Sequence, residues 1–133
     1  MPSSPVHRQQ AFYRRLLSQM IMAVQQQPPF ILDDCEDEHI EFLRTLEALP
    51  TLGESEYSLQ GQQMLCRIIA AYPHLTPLIP RDLLWHFGGD CLHFMPDEEI
   101  HLYQRLEEQC HEAQIQGDDF DYERERTRLL GLS

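Results

Sequence analysis

The chain's most chemically capable side chains crowd between Trp85 and Glu99. This stretch holds the only tryptophan, His86 and His93, Cys91, the Gly88-Gly89 pair, and the acids Asp90, Asp97, Glu98 and Glu99. Thiolate, neutral imidazole and carboxylate are the groups a transition metal takes as ligands. Asp90, Cys91, His93 and His86 are therefore the candidate metal ligands, with His101 as a further donor. Cys91 and His93 alternate, so an extended backbone would point both to one side. Zinc or another transition metal would suit such a set, and a metal-dependent hydrolase would use it to polarise substrate or activate water. Against this reading, a structural zinc site shows a close ligand pair twice, and here one pair occurs. The alternative is a structural corner with no cofactor: the glycines end a helix, Cys91 is buried, and both histidines bond to backbone.

A second cluster runs Asp33-Asp34-Cys35-Glu36-Asp37-Glu38-His39. Asp33, Cys35 and Asp37 alternate as calcium ligands sometimes do, but the central glycine and closing glutamate of an EF-hand loop are missing. Cys35 and His39 are spaced i, i+4 and would share one helix face. The acids are explained without a ligand, as caps and first-turn residues of a helix. For a reactive thiol, Cys91 is the better candidate, because negative charge crowds Cys35. Cys66 sits in an apolar stretch and reads as a small core residue. Cys110 and His111 are adjacent, so a helix splays them about 100° apart and denies them shared work. No nucleophile elbow, phosphate loop, dinucleotide fingerprint or His-Glu-x-x-His motif occurs. The chain contains no lysine, which removes Schiff-base chemistry and a phosphate-loop lysine. No catalytic residue is assigned.

The elements that must carry these groups read as helices. Phe12, Leu16, Met20 and Val24 recur every four residues, widened by Leu17 and Ile21, and predict a helix from His7 to Gln27. Pro28-Pro29 stop it, and Phe30-Ile31-Leu32 follow as an apolar plug. Asp33 or Asp34 is expected to cap a second helix with Phe42, Leu43, Leu46 and Leu49 inward, ended by Pro50. A third starts near Ser55 or Ser58 and turns Leu65, Ile68, Ile69 and Tyr72 inward, with Gly61 marking a close helix contact. Pro80 opens a short fourth helix through Phe87, which Gly88-Gly89 end with one glycine left-handed. Asp90 to Met95 form a linker. A fifth helix runs from Pro96 to Gln116, with Ile100, Tyr103, Leu106, Cys110 and Ala113 inward. Asp118 or Asp119 is expected to cap a sixth. The expected fold is therefore all-α, a single-domain bundle of five or six helices over residues 1–133, with 1–6 a loose N-terminal end.

With 22 acidic against 10 basic residues, the formal charge is −12. Such a field works against a phosphate backbone and against an anionic membrane surface. His7, Arg8, Arg14 and Arg15 concentrate positive charge near the N-terminus, read here as a solvated helix face. With no apolar run near 18 residues, no secretory signal and no disulfide-dense pattern, a cytoplasmic protein is expected. The segment Trp85–Glu99 resembles the signature stretch of a small uncharacterised helical protein family of gammaproteobacteria. That resemblance implies a cytosolic bacterial origin and carries no known activity. The first helix has more apolar surface than one core face needs, and Phe12, Leu16, Met20 and Met22 are the expected interaction surface. The functional expectation is a non-enzymatic acidic interaction or regulatory module that works through a protein partner or as a homodimer. A metal-binding protein or metal-dependent hydrolase using Trp85–Glu99 is the alternative.

Overall fold

In the computed structural model the described residues are 4–131, and among them the chain is helical with no strand. The six α-helices are α1 (Pro5–Gln25), α2 (Asp37–Ala48), α3 (Glu54–Ala71), α4 (Arg81–Phe87), α5 (Asp97–Gln116) and α6 (Tyr122–Leu129). Three 3₁₀ segments, Leu49–Thr51, Pro73–Leu78 and Gly89–Phe94, connect them. The all-α expectation holds. The chain divides into two compact units, residues 15–94 and residues 1–14 with 95–133.

In the unit of residues 15–94, α3 is the central element and packs against α4 and all three 3₁₀ segments. Its inward stripe is Tyr57, Gly61, Met64, Leu65 and Ile68, spaced at three and four residues as a helix requires. Gly61 is the predicted close contact: a Cβ placed there would fall 2.1 Å from Cε1 of Phe87. From α2, Phe42, Leu46 and the following Leu49 are buried, whereas Leu43 is half-buried at the edge of the stripe. One aromatic cluster joins Phe30, His39, Phe42 and Tyr72, with the Arg67 guanidinium 5.2 Å from the Phe42 ring centroid.

The other unit contains α5, α6 and the start of α1. Tyr103, Leu106, Cys110 and Ala113 form the buried stripe of α5. Phe12, Tyr13 and Tyr122 make a three-ring cluster, and the phenol groups of Tyr13 and Tyr122 are hydrogen-bonded to each other. Arg126 lies over the Phe12 ring at 5.1 Å, a cation–π contact that covers the cluster. Arg8 Nη1 donates to the Phe120 carbonyl and pairs with Asp119, both at 3.1 Å.

Several predicted boundaries move. Pro5 and Val6 already belong to α1 rather than to a loose end, because proline's fixed φ and missing N–H suit a helix start; residues 1–3 of that expected end lie outside the described residues. Of the apolar plug, Phe30 packs against Phe42 and Tyr72, but Ile31 and Leu32 are 51% and 48% exposed. The turn hydrogen bonds Ile31 N–H to Gln27 and Leu32 N–H to Pro29 curl the segment so that one side chain faces the cluster. The second helix starts behind Glu36, not Asp33 or Asp34, since Cys35 N–H first closes a turn on Leu32. Asp121, not Asp118 or Asp119, caps the sixth, its carboxylate accepting from Arg124 N–H at 3.2 Å. Gly117 ends α5 in the left-handed region at φ 73°, and the half-buried Phe120 follows before α6 starts.

Candidate functional site

The segment Trp85–Glu99 folds as the end of α4, a glycine corner, the 3₁₀ segment Gly89–Phe94 and the start of α5. Gly88 at φ 64° and Gly89 at φ 55° are both left-handed, one more than predicted. Such φ values are strained for any residue with a Cβ. At Gly89 a Cβ would also meet the Gln62 side-chain amide at 2.1 Å. Gln62 Nε2 in turn donates to the Phe87 carbonyl at 3.4 Å. The predicted linker is thus a built corner, seated on α3 through Gly61, Gln62 and Cys66.

This seating gives the four predicted metal ligands different surroundings. His86 Nε2 shares a hydrogen bond with the Tyr57 hydroxyl at 3.0 Å, and its ring packs on Tyr57 and Phe87. Cys91 is fully buried and points at Cys66, with an Sγ–Sγ distance of 3.9 Å. Its thiol also donates to the Gln62 carbonyl at 3.7 Å. Asp90 and His93 are exposed. Cys91 and His93 do not lie on extended backbone, so the alternation that would have aligned them is lost. Among the described residues, no three His, Cys, Asp or Glu side chains converge as a metal would require. His101, the further donor, is an exposed residue of α5.

Burial pushes the Cys91 thiol up to about 12, reinforced by neighbouring Cys66 and then by the Asp90 carboxylate. Cys110 is likewise raised to about 11, by burial first and Glu107 second. Both are protonated, weakly nucleophilic thiols at neutral pH. All four cysteines are free. Cys66, read from the sequence as a core residue, is half-buried and is the more accessible member of the pair.

The cluster around Cys35 is also rearranged. Because α2 begins at Asp37, Cys35 lies outside the helix and does not share a face with His39. His39 Nδ1 is hydrogen-bonded to the Tyr72 hydroxyl at 2.7 Å. Burial raises the Tyr72 phenol above its ordinary value; Arg67 opposes this, and Glu38 and Cys35 add to it.

The expected interaction surface does not form one face. Phe12 and Met20 are 6% and 2% exposed, Leu16 is half-buried, and Met22 is 64% exposed. Met22 follows Met20 by two residues and therefore stands about 200° around the helix from it. Phe12 and Met20 are core residues.

What the exposed residues do concentrate is acid. Residues 33–56 contain nine carboxylates, Asp33, Asp34, Glu36, Asp37, Glu38, Glu41, Glu47, Glu54 and Glu56, against Arg44 alone among Arg and Lys. All nine are exposed. On α2, burial of Phe42 and Leu46 turns Asp37, Glu41 and Arg44 to the opposite side. In the other unit, a shallow groove of about 350 Å³ runs between the end of α5 and the start of α6. Its carboxylates Asp119 and Glu125 are engaged by Arg8 and by Arg128. Asp82, which the sequence did not single out, is a buried acid in the first turn of α4, where the helix dipole favours it.

A family model, PA2817-like, matches residues 6–133, and the chain belongs to that family. No curated protein and no solved structure matches it. No helix among the described residues is long and apolar enough to cross a membrane.

Proposed function

We propose that this protein is an acidic helical interaction module that acts through a protein partner with a basic surface, without catalysis of its own. The observation that carries this reading is the exposed acidic run over residues 33–56, with nine carboxylates facing one arginine. That ratio accounts for eight of the twelve net negative charges in fewer than a fifth of the residues. Solubility alone is served by charge of both signs spread over the surface. A one-signed field raises encounter rates with an oppositely charged partner and repels like-charged ones. The same repulsion disfavours a second copy docking through this face, so the partner is a different, basic chain. A phosphate backbone and an anionic membrane are repelled by the same field. The chain works in the cytoplasm of a gammaproteobacterium on this reading, in line with the resemblance of Trp85–Glu99.

The test pairs capture with charge removal. Wild-type protein and an Asp34→Asn, Asp37→Asn, Glu41→Gln variant are used as bait for cytosolic extract at low and at high salt. All three positions are exposed, so the variant keeps its core. A partner of high isoelectric point, bound stoichiometrically by wild type, weakened by salt and lost with the variant, is the expected result. Capture that ignores both salt and the substitutions, or none at all, refutes the reading.

A further inference from the structure

We propose that Cys66 and Cys91 form a peroxide-sensitive modification site: a thiol pair that closes to a disulfide clamping the Gly89–Phe94 segment onto α3. Three observations carry it. The two sulfurs lie 3.9 Å apart, so bond formation at about 2.05 Å needs roughly 2 Å of approach. Second, their exposures are asymmetric. Cys66 is half-buried, whereas Cys91 is fully buried. Third, the corner is held from both sides. Gly89 leaves no room for a Cβ beside Gln62, and Gln62 binds both the Phe87 carbonyl and the Cys91 thiol. The pair is therefore positioned by packing before any chemistry occurs, which raises the effective concentration of one thiol at the other.

The division of labour follows from exposure. The Cys66 thiolate attacks one oxygen of hydrogen peroxide; the O–O bond breaks and the departing hydroxide takes a proton to become water. This leaves a sulfenic acid on Cys66. The Cys91 sulfur then attacks the Cys66 sulfur, the S–O bond breaks, and the Cys91 proton leaves with the hydroxyl as a second water. Two thiols give up two electrons and one peroxide accepts them. The Cys35 thiol lies instead against the Glu36 carbonyl, and Cys110 is buried in the stripe of α5.

The experiment treats the full-length native protein with hydrogen peroxide, alkylates remaining thiols, and maps peptides by mass. The expected result is loss of two of the four free thiols, a mass decrease of about 2 Da per chain, and one cross-linked peptide joining Cys66 to Cys91, reversed by a dithiol reductant. In Cys91→Ser the clamp cannot form, and a sulfenic acid trapped by a cyclic 1,3-dione should accumulate on Cys66 instead. Should that variant fold poorly, the wild-type peptide map decides alone. Cys66 and Cys91 recovered as alkylated thiols while Cys35 is oxidised would overturn the proposal. So would a disulfide that joins two chains, or one that involves Cys35 or Cys110.

Discussion

Replacing Gly61 by alanine tests the packing of the corner most directly, because two well-known effects of that substitution oppose each other here. In the interior of an exposed helix, alanine is favoured over glycine by about 1 kcal/mol. Gly61, however, faces the buried ring of Phe87, and a Cβ would fall 2.1, 2.4 and 2.6 Å from Cε1, Cδ1 and Cζ. Ordinary carbon contacts lie near 3.5–4.0 Å, so the ring must retreat by more than about 1 Å. Phe87 is 6% exposed, with Tyr57 at 5.1 Å and His86 at 4.9 Å between ring centroids. Overpacking of this kind costs roughly 1–3 kcal/mol, and with three ring atoms in the way the upper part of that range applies. The expected net loss is about 1–2 kcal/mol, or a fall in urea midpoint on the order of 0.5–1 M for a typical m-value. Trp85, the only tryptophan, sits two residues before Phe87 and gives a fluorescence probe of this corner. The same substitution made on a Phe87→Leu background removes the obstructing ring edge. There, Gly61→Ala should be neutral or stabilising by up to about 1 kcal/mol, a coupling of about 2 kcal/mol between the sites. Equal effects in both backgrounds, or a more stable single variant, would refute the contact.

Asp121→Ala removes the one side-chain cap of α6 and should cost about 1 kcal/mol, read as a lower denaturant midpoint; Glu36→Ala, at a helix start with no side-chain cap bond, should cost less. The buried thiols make stability fall in alkali. Their folded values, about 12 for Cys91 and about 11 for Cys110, lie above the ordinary 9.0. The unfolded chain therefore releases protons first: stability is intact below pH about 9 and declines as pH rises toward the folded values. Cys91→Ala and Cys110→Ala should each flatten that decline in denaturant titrations run across the range, and an unchanged slope in both would show that the burial has been misjudged. Elemental analysis of untagged protein, purified without chelator, should find less than stoichiometric zinc, iron or manganese. One metal per chain, lost in a Cys91→Ala, His93→Ala double variant, would show that Cys91 and His93 do hold a metal in solution.

The helices were legible because their determinants are local. The four-residue recurrence from Phe12 to Val24, the prolines at 28, 50 and 80, and the glycines at 88 and 117 each act within a turn or two. Ends were harder where several residues compete for one role. Asp33, Asp34 and Glu36 can all precede a helix, and so can Asp118, Asp119 and Asp121; the choice is made by turn hydrogen bonds that no propensity encodes. The outward turn of Met22 against the inward Met20 was readable from helical geometry, yet an apolar run is easily taken as one surface when each residue is weighed by type alone. Side-chain partnerships were out of reach for a different reason. Tyr57 with His86, Cys66 with Cys91 and His39 with Tyr72 are separated by 29, 25 and 33 residues, and a single sequence carries no signal that pairs them.

The richness of Trp85–Glu99 in metal-ligand types has a packing explanation that also accounts for the thiol pair. A chain that must leave α4 and lie back on α3 needs two left-handed residues in succession, and glycine supplies them at 88 and 89. Lying back on α3 places residue 91 against the helix one turn beyond Gln62, where a small side chain is required. Cysteine meets that need as a compact, weakly polar residue, and His86 is hydrogen-bonded to Tyr57 on the same helix. The requirement that scatters the histidines is thus the one that brings residue 91 to residue 66. Packing asks only for a compact side chain at residue 91 and does not call for a second cysteine at residue 66. Two cysteines facing one another at 3.9 Å add what those residues would not, a bond that oxidation can make, across the corner that the glycines and Gln62 already hold in place.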